Sequence, residues 1–426
     1  SFLSFLSLII YVLFFNSSLI FSKFYGLEDP LLRGLIFPLA GLTYLLVGIE
    51  FRYNSDYWTM LIVLVIGIIL TLVSTPREIK TKVFPDSLKN FLRIFTLLGV
   101  FVSISDLFLN LNLANSVYSL ANFDNRGDLN YPILRLISMG LSFGAIPSFA
   151  LANIFYKKIS RLAILWIIAY SIPIIITPSK GSVLVLFFYY LDFIFWSNLF
   201  NGKKNISSRF ISLKRLVIFK NKFAKLSRFL IIITLFVIFT ISLVQILLGI
   251  PFVSSLELFI SRLFNSSYDF AFGIIRDSNI EFDLNSRRPE FNSLVELWLK
   301  PVLKNIFKIE YLYDTIPKYI QSLRGNVVYG VSSPNSTLFI EATTIHGRFI
   351  GTCLTFIIFF IGFLIRRQFL KSTNFHPLQF IFLPIVSLGP LFCFQSAQPF
   401  FTYYLPFVFF IVFSYLIDRI LIDFIK

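Results

Sequence analysis

Residues 349–365 read FIGTCLTFIIFFIGFLI, with no charged side chain until Arg348 on one side and Arg366 and Arg367 on the other. About 20 mostly apolar residues, rising 1.5 Å each in a helix, cross the hydrocarbon core of a bilayer. A stretch this apolar reads as a transmembrane helix. Working outward, comparable runs occur at 2–22, 34–49, 57–74, 91–109, 132–156, 162–178, 182–200, 229–250, 378–395 and 401–418. Composition agrees across all 426 residues: 56% are hydrophobic and only 14% charged, and mean hydropathy is +0.79. Soluble domains run near a quarter charged. The expected fold is an all-α polytopic membrane protein with about 11 (10–12) transmembrane helices. Soluble enzymes, DNA-binding proteins and disulfide-rich secreted scaffolds are excluded as descriptions of the whole.

Lys and Arg in short loops orient such a bundle, because the cytoplasmic side retains them. One set of alternating loops carries Lys23 and Arg33, then Arg77, Lys80, Lys82, Lys89 and Arg93, then Lys157, Lys158 and Arg161. Nine more lie between Lys203 and Arg228, followed by Arg366, Arg367, Lys371, Arg419 and Lys426. The opposite loops hold Arg52, Arg126, Arg135, Lys180 and ten residues between Arg262 and Arg348. The first and larger set is expected to be cytoplasmic, with the C-terminus inside. Eleven spans would then put the N-terminus outside, so a count differing by one, or a segment ahead of Ser1, is the alternative. The net charge of +16 follows mostly from topology and attraction to anionic lipid, with no nucleic-acid partner.

Three regions follow: 1–250 with eight spans, an extracytoplasmic segment 251–348, and 349–426 with three spans. The middle segment balances ten basic against ten acidic residues and includes Trp298. Amphipathic patterns at 291–309 and 311–324 predict helices, hence a large helical cap packed over the bundle. Charge within the spans is sparse. Asp106 and Asp192 are the clearest cases, and Asp106, near the external end of its run, is expected to be interfacial and solvated. Ion and proton relays usually need more. GxxxxGK[ST], GxGxxG, HExxH and GxSxG are all absent, so no ATP, dinucleotide, zinc or serine-hydrolase signature is present. Cys353 and Cys393 both sit in apolar runs. They suggest neither a disulfide nor a metal cluster, and no cofactor is expected.

The external loops carry a different chemistry. Arg is a planar, permanently charged fork that grips phosphate bidentately. Arg262, Arg276, Arg287 and Arg288 cluster at the start of the cap. Lys180 is the only charge in the turn Pro178–Ser179–Lys180–Gly181, and Arg126 sits in the loop 122–130. Convergence of these three loops would attract a lipid-linked pyrophosphate. Surface or salt-bridged positions are the plainer alternative for each.

From Arg262 to Gly273 the chain reads R-LFNSSYDFAF-G, with ten residues between the ends. This spacing resembles the Arg-x10-Gly signature of external loops in Wzy-type O-antigen polymerases. Pro334–Gly351, PNSTLFIEATTIHGRFIG, resembles the cap-to-helix junction shared by those polymerases and the O-antigen ligases, here through Asn335, Glu341, Gly347 and Gly351. Ser179–Lys180–Gly181 is similar to the family's basic turn, with Lys where Arg is commoner. Ligases carry a His beside that Asn, where this chain has Pro334, so the polymerases are the nearer likeness. One clear Arg-x10-Gly copy is present where the polymerases have two.

The resemblance implies a GT-C-like, metal-independent glycosyltransferase in a bacterial inner membrane, its site facing the periplasm or exterior. Its substrates would be polyprenyl-pyrophosphate-linked oligosaccharides, and a chain-length co-polymerase would be the protein partner. Lys180, Arg262, Arg276 and Arg288 are expected to hold the pyrophosphate, with Arg126 and Arg287 as second choices. Glu341, or else Asp269 or His346, is the expected base for the acceptor hydroxyl. A ligase or other lipid-linked-sugar transferase is the alternative, and a flippase or transporter a more distant one.

Overall fold

Leu88, Phe91, Leu92, Phe95 and Gly99 recur at three- and four-residue spacing and form the buried stripe of α1 (Ser87–Asn110), the pattern of a helix with one face packed. The computed structural model describes residues 29–30, 62, 65–66, 82–110, 131–156, 160–176, 182–201, 292–307, 338–387 and 397–425. Among these residues the structure is mostly helical, with no strand and an isolated bridge between Val83 and Asn374. After α1 come α2 (Pro132–Ser142), α3 (Ala145–Tyr156), α4 (Arg161–Ile176), α5 (Ser182–Phe200), α6 (Leu294–Phe307) and α7 (Leu338–His346). Then follow α8 (Arg348–Lys371), a 3₁₀ turn (Pro377–Phe382), α9 (Leu383–Ser387) and α10 (Ala397–Ile425).

Three described helices are long and apolar enough to cross a membrane: Ser87–Asn110, Phe349–Lys371 and Phe400–Leu421. The broken pair α2–α3 makes a fourth when taken as one span. The protein is thus an all-α membrane protein, with three to four candidate spans among the described residues. The expected runs 2–22, 34–49 and 229–250 lie outside those residues, as does nearly all of 57–74. Helix α6 occupies most of the amphipathic pattern at 291–309, while 311–324 is outside.

The run 132–156, expected as a single span, is bent by 44° between α2 and α3. Pro147 is the physical reason. It cannot donate to the carbonyl four residues back, at Phe143, and its ring crowds that same carbonyl. The chain instead tightens locally, with Phe143 N–H on Gly140 O at 3.2 Å and Gly144 N–H on Leu141 O at 2.9 Å. Close packing holds the bend in place. A Cβ on Gly144 would lie 2.4 Å from the Phe95 ring. One on Gly140 would lie 2.6 Å from the Tyr403 carbonyl oxygen of α10.

Aromatic side chains fill the interior. Phe95 meets Trp166, Phe380 and Phe407 at centroid distances of 5.4, 5.9 and 6.1 Å. Phe375 meets Phe200 and Phe84 at 5.6 and 5.9 Å. Edge-to-face rings at these separations add to the apolar area they bury.

The second cluster marks one end of the bundle. There Val83 N–H donates to Thr373 O at 2.7 Å and Phe375 N–H to Val83 O at 3.1 Å, and Arg93 Nε donates to Tyr156 Oη at 3.0 Å. Lys89, Arg161, Arg367, Lys371 and Arg419 lie on the adjoining helix ends, so this end is basic.

Lys82 sits there, buried, with Nζ donating to the carbonyls of Phe369 and Ser372 at the end of α8. Burial lowers its pKa from 10.5 to about 8. The unfolded chain therefore keeps this proton to a higher pH than the folded one. Its unfavourable contribution is complete below about pH 8 and is relieved as pH rises towards 10.5. In detergent, the melting temperature of the protein relative to Lys82→Met should climb between pH 8 and pH 10. A constant difference would show that Lys82 titrates normally in the fold.

Arg366, which the loop pattern places among solvent-facing topological charges, is instead inside α8 and 1% exposed. Its Nη2 lies 2.5 Å from Asp29 Oδ2 and its Nη1 donates to Val386 O at 2.7 Å. The cause is helical phase: Phe359, Phe363, Arg366, Phe369 and Leu370 share one buried face of α8, whereas Arg367 is turned outward.

Candidate functional site

The end opposite the basic one gathers the groups with chemical potential. Between α7 and α8 stands Gly347 at φ 80°, a conformation that side chains resist. It allows α7 to fold back along the first turn of α8. At the contact, a Cβ on Gly351 would lie 2.5 Å from the backbone of Ala342 and Thr343. Both glycines of the junction are therefore needed for its shape: one for the turn and one for the approach.

Helix α7 buries Leu338, Phe339, Glu341 and Ala342, and Glu341 is wholly enclosed. A carboxylate out of water needs polar partners. One is Trp298 of α6, whose Nε1 donates to Glu341 Oε2 at 3.4 Å. The indole is itself fixed from α10: its ring stacks on Phe401 with centroids 3.8 Å apart and planes at 16°. Thr402 Oγ1 donates to the Trp298 carbonyl at 2.7 Å. Three segments distant in sequence thus meet at Glu341. Lys300, half a turn beyond Trp298 on α6, is also buried. His346 ends α7 and is partly buried, at the turn itself.

A second charged group lies at this end. Asp106, expected to be interfacial and solvated, is 1% exposed. Arg135 explains the difference, because its Nη1 lies 3.3 Å from Asp106 Oδ2 and supplies the countercharge a buried carboxylate requires. Asn110 Nδ2 donates to Asp106 Oδ1 at 2.7 Å and to Tyr131 O at 3.0 Å. Asn110 Oδ1 accepts from Tyr131 N–H at 2.7 Å. Asp106 and Asn110 are one turn apart on α1, and Tyr131 and Arg135 are one turn apart at the start of α2. The side chains therefore join two helix ends across residues 111–130.

Of the residues expected to carry chemistry, Glu341 and His346 share the junction helix. Lys180, Arg126, Arg262, Asp269, Arg276, Arg287 and Arg288 lie outside the described residues. Among those described, no group of three or more His, Cys, Asp or Glu could hold a metal ion. The sequence reading counted Arg135 among the external charges and gave it no role. The signal available was the paired spacing Asp106-x3-Asn110 and Tyr131-x3-Arg135, flanking one external loop. Chemically, the described arrangement offers a carboxylate beneath an aromatic cover, and an arginine held by a carboxylate at the same end of the bundle. Comparison of the chain with protein-family models, curated proteins and solved structures gives no match.

Proposed function

We propose that the chain polymerises polyprenyl-pyrophosphate-linked oligosaccharide repeat units into a surface polysaccharide at the extracytoplasmic face of a bacterial inner membrane. Glu341 carries the reading: it is enclosed at the cap-to-helix junction, at the end of the bundle away from the basic residues. With the basic end cytoplasmic, Glu341 faces the side on which exported repeat units arrive. The larger architecture of this reading has about eleven spans, a cap over 251–348 and a GT-C-like arrangement.

In the proposed reaction the bond from the donor's anomeric carbon to its pyrophosphate breaks and a bond to the acceptor hydroxyl oxygen forms. The hydroxyl proton passes to the Glu341 carboxylate, and the polyprenyl pyrophosphate leaves with the bonding electrons. Charge accumulates on that leaving group. Preorganised cations stabilise it most where water is excluded, the role assigned to Lys180, Arg262, Arg276 and Arg288 without a metal ion. Since Glu341 is enclosed, the acceptor reaches it only when Trp298 turns aside or α6 lifts. Asp269 and His346 are the alternative bases.

Substituting Arg262→Ala tests the reading in a strain that depends on this chain. Loss of long surface chains is expected, with single repeat units still displayed and protein abundance normal on an immunoblot. Loss of every surface glycan would instead indicate ligation or export. An unchanged ladder would remove Arg262 from the site.

A further inference from the structure

We propose that Arg135, oriented by Asp106, seats the pyrophosphate headgroup of a lipid-linked substrate; the inference rests on the polymerase reading above. Among the described residues the charged contact of the Arg135 guanidinium is Asp106 Oδ2, 3.3 Å from Nη1, and that oxygen accepts no hydrogen bond there. Its side chain is only 17% exposed. A mostly buried guanidinium has five donors to satisfy, and leaving them unused is costly. A structural pair would be expected to close fork on fork. Among the described residues one edge of the fork meets the carboxylate, which leaves the other donors for an anion.

Preorganisation points the same way. Asp106 cannot drift, because Asn110 holds its other oxygen and at the same time clamps the backbone of Tyr131. Arg135 therefore projects from a fixed base, which lowers the entropy lost on binding. The same helix ends also expose apolar side chains, which suits an amphiphile. Phe108 on α1 is 78% exposed, and Tyr131 and Ile133 on the neighbouring segment are also exposed. A phosphorylated head at Arg135 would keep its hydrocarbon tail at the apolar surface of the same helix ends. The same end holds Glu341, so a headgroup seated there lies on the side where transfer is proposed.

The test is binding of farnesyl pyrophosphate, a sugar-free short-chain probe, to purified protein in detergent, read by thermal shift across a titration. Arg135→Gln should weaken binding roughly ten- to a hundredfold, the worth of a charged hydrogen-bonded contact, while Arg135→Lys should keep part of it. Because Arg135→Gln leaves Asp106 buried without a countercharge, the double variant Asp106→Asn/Arg135→Gln is measured beside it. This pair is neutral and can still hydrogen-bond, so it should fold and still lose the probe. Asp106→Asn alone, which keeps the arginine but not its anchor, should weaken binding by less than Arg135→Gln.

If the unaltered protein binds the probe and the double variant binds it equally well, Arg135 has no such role and the polymerase reading stands. If the unaltered protein does not bind the probe, the pyrophosphate-lipid reading itself falls. If phosphatidylglycerol displaces the probe at equal concentration, the arginine takes any lipid headgroup and its assignment to the substrate is overturned.

Discussion

Replacing Glu341 with Gln is expected to stop chain growth, lowering polymer at least about a hundredfold, the scale on which a positioned general base acts. Gln has nearly the same shape as Glu, and its amide oxygen can still accept from Trp298 Nε1. The contact that joins α6 to α7 therefore survives, and abundance should change little. What is lost is a group that can take the acceptor's proton. The surface-polysaccharide ladder reads the effect, with an immunoblot as the control. Trp298→Phe makes the informative companion: it keeps an aromatic ring against Phe401 but removes the indole donor, so it should reduce chain growth less than Glu341→Gln. Full-length chains from Glu341→Gln would make Glu341 a packing residue and pass the base role to Asp269 or His346.

The second large effect concerns stability. Arg366→Leu is expected to cost about 3–5 kcal/mol, because it takes from the enclosed Asp29 carboxylate the countercharge 2.5 Å away. Asp29 is wholly enclosed and Arg366 is 1% exposed, so solvent cannot screen the loss. Asp29→Leu/Arg366→Leu should regain much of the stability, since a buried ion pair replaced by apolar side chains is often neutral or better. Thermal unfolding in detergent of both single variants and the double variant gives the coupling between them. If the double variant is as unstable as the sum of the singles, the two charges do not depend on each other and the pair is incidental to the fold.

Features that depend on local pattern were legible in the residues alone. The apolar runs at 91–109, 349–365 and 401–418 lie within α1, α8 and α10, because the length and polarity of one segment decide whether it can cross a bilayer. The amphipathic period at 291–309 announced α6 for the same reason. Breaking of the run 132–156 could have been foreseen from Pro147, which ends the hydrogen-bond ladder whatever the apolar pattern around it.

Pairings were not legible. Asp29 and Arg366 are 337 positions apart, and nothing near either residue names the other. Arg366 did carry a local signal, since it continues the helical stripe of Phe359 and Phe363 while Arg367 falls off it. Counting both arginines as loop charges hid that difference. At the candidate site, the junction motif singled out Glu341, and its glycines are explained by the turn at Gly347 and the close contact at Gly351. Its cover could not be found that way, because Trp298 and Phe401 meet only after α6 packs on α10.

We propose that this chain joins lipid-linked repeat units to one another. The most direct test is reconstitution of the purified protein in liposomes with repeat units extracted from a strain lacking it. Conversion of single lipid-linked units into longer lipid-linked chains is expected, with polyprenyl pyrophosphate released at each step and no transfer by Glu341→Gln. Units that stay single, or that move only onto a different acceptor such as a lipid A core, would contradict it.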